Sequence, residues 1–159
     1  MTEVVTDEGL FIRALGSERS PRSHEVVDPA DQRARDLAAE VLQTVQDQHV
    51  WAISYDVYDT CFGRFWSASY KGVLWNRLLR SFRNMIIDPA KHRHTGDPPE
   101  IPGEYDPNDR RWVSCAAAAS DGCLLITTDE DLVQQLEATE LPALHHFVPL
   151  VLSEAESHL

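Results

Sequence analysis

Short apolar runs alternate along this chain with helix signals, and that alternation is the tightest constraint on its fold. The runs are Val4-Val5-Thr6, Val50-Trp51-Ala52-Ile53-Ser54, Cys123-Leu124-Leu125-Ile126-Thr127 and Phe147-Val148-Pro149-Leu150-Val151. Apolar stretches this short, rich in Val, Ile and Leu, read as buried strands. Between the first two, Asp28 stands as N-cap, Pro29 as first helical residue and Asp31 as first-turn acid, the order that starts a helix. Ala34, Leu37, Ala38, Val41, Leu42 and Val45 follow at helical spacing, giving one buried stripe. Asp106-Pro107-Asn108-Asp109 repeats that start ahead of Trp112, Val113, Ala116 and Ala117, and Glu130 opens a helix through Leu132, Val133 and Leu136. Leu10-Phe11-Ile12 with Ala14-Leu15 forms another helical patch. Strands alternating with helices predict an α/β layer fold with a mostly parallel sheet.

The remaining segments join these pieces. Residues 16–28 are polar and read as a loop, and residues 55–66 as a helix carrying Asp56 and Asp59. A helix beginning near residue 69 has Leu74, Leu78, Phe82 and Met85 on one face, with Arg77, Arg80 and Arg83 beside it. From Pro89 to Asp106 the chain contains Pro98-Pro99, Pro102 and two glycines, so 89–106 reads as a long loop. The last apolar run is expected to close the chain. No repeat or boundary divides residues 1–159, which suit one domain of roughly 100–200 residues.

The net charge of −12 argues against a nucleic-acid binder when taken as a total. Its distribution argues otherwise. Between residues 60 and 95, seven basic residues including Arg77, Arg80 and Arg83 face the single acid Asp88, a local charge of +6. Such a stretch is a local field that the total conceals, although any one of these arginines reads equally as part of a solvated helix face. Cys61, Cys115 and Cys123 are too few for a disulfide framework and lack zinc-site spacing, so they read as small buried side chains. Trp51, Trp66, Trp75 and Trp112 read as core or partner-facing residues. No apolar run approaches the roughly 20 residues that a bilayer span needs. The N-terminus has no basic-then-apolar signal region, so the expected setting is the cytoplasm, without a membrane.

Carboxylates fall where such a fold gathers ligands. Asp7 follows the first strand and Asp129 the strand ending at Thr127, while Asp109 lies in a first helical turn and Asp59 about one turn beyond Ser54. Open α/β sheets bind ligands outside the carboxyl ends of their strands. Clustered acids repel, and persist when protonated, hydrated or bridged by a cation. Oxygen donors select a hard ion, Mg²⁺ or Mn²⁺ over zinc, and such an ion can activate water and stabilise displacement at phosphorus. Taken singly, Asp109 reads as a helix-start acid and Asp129 as an N-cap.

In these residues the chain resembles the PIN-domain nucleases. DPNDRRWVSCAAAASDGCLLITTDEDL is similar to the family's second half, with an acid at a helix start, a small-residue helix and an apolar strand ending in Thr-x-Asp. VVTDEGLFIRAL resembles its first strand and terminal Asp, and VWAISYDVYDTC the strand, Ser and downstream helix that bear its second acid. The resemblance implies a three-layer α/β/α sandwich that cuts RNA with Mg²⁺ or Mn²⁺. It implies Asp7, Asp59, Asp109 and Asp129 as catalytic and metal-binding acids with Asp131 as their support, while Arg77, Arg80 and Arg83, taken as a basic set beside that site, read as RNA-binding residues. It further implies a toxin-like member with an antitoxin-like protein partner, and admits a homodimer.

Two departures stand out. Gly9 occupies a position where the family usually has Thr, Ser or Asn, and Asp59 replaces the usual Glu, with Asp56 as its rival. These keep open a PIN-like scaffold with weakened catalysis that binds RNA or protein. Tyr55-Asp56-Val57-Tyr58-Asp59-Thr60 also looks like the nucleophile motif of haloacid-dehalogenase-type hydrolases, with Asp56 as nucleophile. That family places the motif on its first strand and uses a later lysine, whereas here the last lysine is Lys91.

Overall fold

A computed structural model gives the structure of the chain, described over residues 2–15, 28–54, 90, 92–95, 101 and 104–159. The expected helices carrying Asp56, Asp59, Arg77, Arg80 and Arg83 lie outside these residues, as do Cys61, Trp66, Trp75 and half of the 89–106 stretch. Five strands, β1 (Glu3–Thr6), β2 (Val50–Ile53), β3 (His92–His94), β4 (Leu124–Thr127) and β5 (Val148–Val151), form one sheet in the order β3-β2-β1-β4-β5. Every pairing is parallel. The helices are α1 (Glu8–Leu15), α2 (Pro29–Gln48), α3 (Pro107–Ala118), α4 (Glu130–Ala138) and the short α5 (Leu152–Ala155). They pack on the sheet to make an α/β fold, and right-handed crossovers place α1 and α2 on one face with α3 and α4 on the other.

Local chemistry sets the helix starts. Asp28 accepts from the Ala30 amide at 2.7 Å and Asp106 from the Asn108 amide at 2.8 Å, each followed by a proline whose missing N–H costs nothing there. The stripe of α2 is buried at Ala38, Val41, Leu42 and Val45, while Ala34 and Leu37 are only half-buried. All four residues of β4 are buried, as expected of a parallel strand covered on both faces. Phe11 of α1 meets Trp51 of β2 edge-on, with ring centroids 5.5 Å apart. Trp112 and the thiols of Cys115 and Cys123 are also in the core, and burial pushes the two thiols up to about 11 and about 12.

Two expectations need correction. Residues 89–106 are not loop throughout, because His92–His94 forms the edge strand β3 beside Trp51, Ala52 and Ile53. A His-Arg-His strand carries no apolar alternation, and it is held by backbone pairing and by Arg93, which forms an ion pair with Glu3 of β1. Burial pushes the Glu3 carboxyl up, but hydrogen bonds from Arg93 and the Ser120 amide outweigh it and hold the group below its ordinary range. Nor does β5 close the chain, since α5 follows it directly. On β5, the Val148 amide donates to the Cys123 carbonyl, so alternation turns Pro149 toward the outer side, where it presents no donor to a further strand.

Gly122, in the turn from α3 into β4, has φ of 79° and is the one residue with positive φ among the described residues. A Cβ there would meet nothing within 4 Å, so the backbone conformation alone demands glycine. Gly122→Ala is expected to lower the free energy of unfolding by about 1–2 kcal/mol, measured by denaturant titration.

Candidate functional site

In the order β3-β2-β1-β4-β5 the chain reverses direction across the sheet between β1 and β4. Outside the carboxyl ends of those two strands lies the switch-point crevice in which such sheets bind ligands. The register brings Thr6 opposite Ile126, and the Asp7 amide continues the ladder by donating to the Ile126 carbonyl at 3.1 Å. Asp7 and Thr127 are therefore the first residues beyond the β1–β4 pairing.

Asp7 is buried, and its carboxylate is surrounded by donors. Oδ2 accepts from the Thr127 hydroxyl at 2.5 Å and from the Thr128 amide at 3.1 Å, while Oδ1 accepts from the Leu10 amide at 3.0 Å. The Gly9 amide also donates to this carboxylate. Asp7 thus caps α1 and ties β1 to β4 with one group. Burial pushes its carboxyl up, and those hydrogen bonds pull against the shift without cancelling it. Thr127, fully buried, works both ways, since its hydroxyl also accepts from the Asp129 amide at 3.0 Å.

Asp129 is exposed and caps α4 through Oδ1, which accepts from the Asp131 and Leu132 amides at 2.9 and 3.2 Å. Among the described residues its Oδ2 accepts nothing. Asp131 is exposed in the first turn of α4. Asp109, in the first turn of α3, is half-buried, and its carboxyl is pushed up to about 6 by burial and then by the charges of Asp129, Asp106 and Asp7. Asp7, Asp109 and Asp129, remote in sequence, share one rim of the sheet and repel one another there. Asp59, Arg77, Arg80 and Arg83 lie outside the described residues.

Among the described residues, no three of His, Cys, Asp and Glu stand close enough to hold one metal ion. The donor chemistry nevertheless suits a hard divalent cation, being oxygen alone and mutually repulsive. Among the described residues the oxygens without a hydrogen-bond donor are those of Asp109 and Oδ2 of Asp129, whereas both oxygens of Asp7 are engaged. Thr127 and Thr128 were not singled out by sequence reasoning. The signal was present in the Thr-Thr-Asp triplet, because a hydroxyl residue ending a central strand can bond a carboxylate ending its neighbour. No family model, no curated protein and no solved structure matches the chain.

Thr127→Val removes one of the Asp7 carboxylate's four donors and the acceptor of the Asp129 amide, and is expected to cost about 1–3 kcal/mol of stability. Thr127→Ser keeps the hydroxyl and is expected to retain most of it, by thermal and denaturant unfolding. Asp109 titrates higher in the folded chain than its ordinary value of 3.8, so folding favours its protonated form. Its contribution is present below the ordinary value and lost as pH rises through about 6. Asp109→Asn is therefore expected to raise the Tm of the metal-free protein above that pH and to flatten the Tm–pH profile between about 4 and 6.

Proposed function

We propose that this chain is a PIN-type endoribonuclease that hydrolyses RNA phosphodiester bonds with Mg²⁺ or Mn²⁺. The observation that carries the reading is the convergence of Asp7, Asp109 and Asp129 at the β1–β4 switch point, with the Asp109 carboxyl pushed up to about 6 by burial and by its neighbours' charges. The parallel order β3-β2-β1-β4-β5 and the ordered resemblance of three sequence segments support it. In this reading Asp109 and Oδ2 of Asp129 would hold the ion, with Asp59 contributing from beyond β2 and Asp131 in support. Asp7 would form the floor of the site, its position fixed by Thr127 and the turn of α1. A divalent ion, when bound, supplies water activation and charge stabilisation at phosphorus. Arg77, Arg80 and Arg83 would hold the RNA by phosphate contacts, and an antitoxin-like protein partner belongs to the same reading.

The engagement of both Asp7 oxygens favours a second reading, a PIN-like scaffold with weakened catalysis. Titration with Mn²⁺ during thermal unfolding separates the two, because an ion that binds only the folded chain raises its Tm. The nuclease reading expects that rise, together with metal-dependent cleavage of single-stranded RNA. Asp129→Asn, which keeps the cap because Asn serves there as well as Asp, is expected to abolish cleavage and the Mn²⁺ response. The Tm of its metal-free form should equal or exceed that of the parent. A flat Mn²⁺ titration of the parent chain would overturn the nuclease reading.

A further inference from the structure

Gly9 lies in the first turn of α1 with an ordinary backbone, since Gly122 alone has positive φ among the described residues. Conformation does not require glycine at that position, and helix propensity opposes it. Space does require it. A Cβ on residue 9 would run into the Thr128 hydroxyl oxygen and stand 3.2 Å from Asp7 Oδ1. The Thr128 hydroxyl therefore occupies the volume that a side chain at position 9 would fill, at the edge of the Asp7 carboxylate.

Thr128 is fixed in that position by its own backbone, whose amide donates to Asp7 Oδ2 at 3.1 Å. Its hydroxyl, unlike that of Thr127, has no hydrogen-bond partner among the described residues. Asp7 does not need it either, being already supplied by Thr127, Thr128, Leu10 and Gly9. A half-buried hydroxyl without a partner among the described residues, beside a saturated carboxylate and one residue before Asp129, is available to whatever the acids of the rim bind.

We propose that Gly9 and Thr128 form a reciprocal pair, the glycine vacating a slot so that the Thr128 hydroxyl, just beyond the end of β4, can act as a positioning group. That hydroxyl bonds a water or phosphate oxygen held at the acidic rim. The inference rests on the nuclease reading, and it assigns to Thr128 a function separate from the structural function of Thr127.

The test uses the full chain and Mn²⁺, with Tm and RNA cleavage as readouts. Thr128→Ala is expected to fold normally while losing about 10–100-fold in cleavage rate or Mn²⁺ affinity, the range for an outer-shell partner. Thr128→Ser should restore both. Gly9→Ala should lower the Tm of the parent chain but not that of Thr128→Ala, where the slot is open. Gly9→Ser combined with Thr128→Ala returns a hydroxyl to the slot from the other side and should recover part of the loss, which a merely structural Thr128 would not allow. Equal cleavage and Mn²⁺ response in Thr128→Ala and the parent overturns the positioning role and leaves the nuclease reading standing. Equal effects of Gly9→Ala in both backgrounds overturn the pairing. A parent chain with no Mn²⁺ response overturns the nuclease reading, and the positioning role with it.

Discussion

The architecture depends on a single buried carboxylate. Asp7 closes β1, caps α1 and accepts the Thr127 hydroxyl and Thr128 amide of β4. Two central strands and a helix therefore meet at one side chain, whose burial would be costly if any of those donors were missing. The arrangement follows from register. With Thr6 opposite Ile126, the next residues along each strand must face each other across the carboxyl end of the sheet. A carboxylate and a hydroxyl are the pair that satisfies both without water. The same tie orients the Thr127 hydroxyl to receive the Asp129 amide, so the start of α4 is set by the end of β1.

Beyond that tie the rim is under electrostatic tension. The Asp129 carboxylate shares its charge with two amides of α4 and is also favoured by the helix dipole. Asp109 has a first-turn position too, yet burial and the charges of Asp129, Asp106 and Asp7 outweigh that benefit. A neutral side chain in place of Asp109 would relieve this repulsion, since Asp106 and not Asp109 caps the helix. Its position at a switch-point crevice is why the proposed nuclease reading gives it a binding role.

Much of this was legible in the sequence where local chemistry and periodicity agree. The Asp28-Pro29 and Asp106-Pro107 starts, the apolar runs of β1, β2, β4 and β5, and the stripe of α2 are each written in a few adjacent residues. The strand β3 was not legible, because His92-Arg93-His94 has no apolar alternation and is held by backbone pairing and the long-range contact of Arg93 with Glu3. At the site, the acids could be named from their places after strands and at helix starts. The saturation of Asp7 and the steric exchange between Gly9 and Thr128 could not, since both depend on contacts across more than a hundred residues of sequence.

That difference bears on how Asp7 and Asp129 divide their work. Both are N-caps, so capping alone does not distinguish a structural acid from a functional one. What distinguishes them is the second oxygen. In Asp7 it is committed to Thr127 and Thr128, and the group is buried. In Asp129, an exposed residue, the cap uses one oxygen for both amides, and the other accepts nothing among the described residues. A carboxylate arranged in the second way can cap a helix and coordinate a ligand together without losing either interaction. Asp7 instead contributes rigidity: it fixes the distance between β1 and β4, and so the spacing at which Asp109 and Asp129 confront each other. In the proposed nuclease reading the chemistry at this rim would therefore fall to the outer pair of acids, while the inner one defines the geometry within which they act.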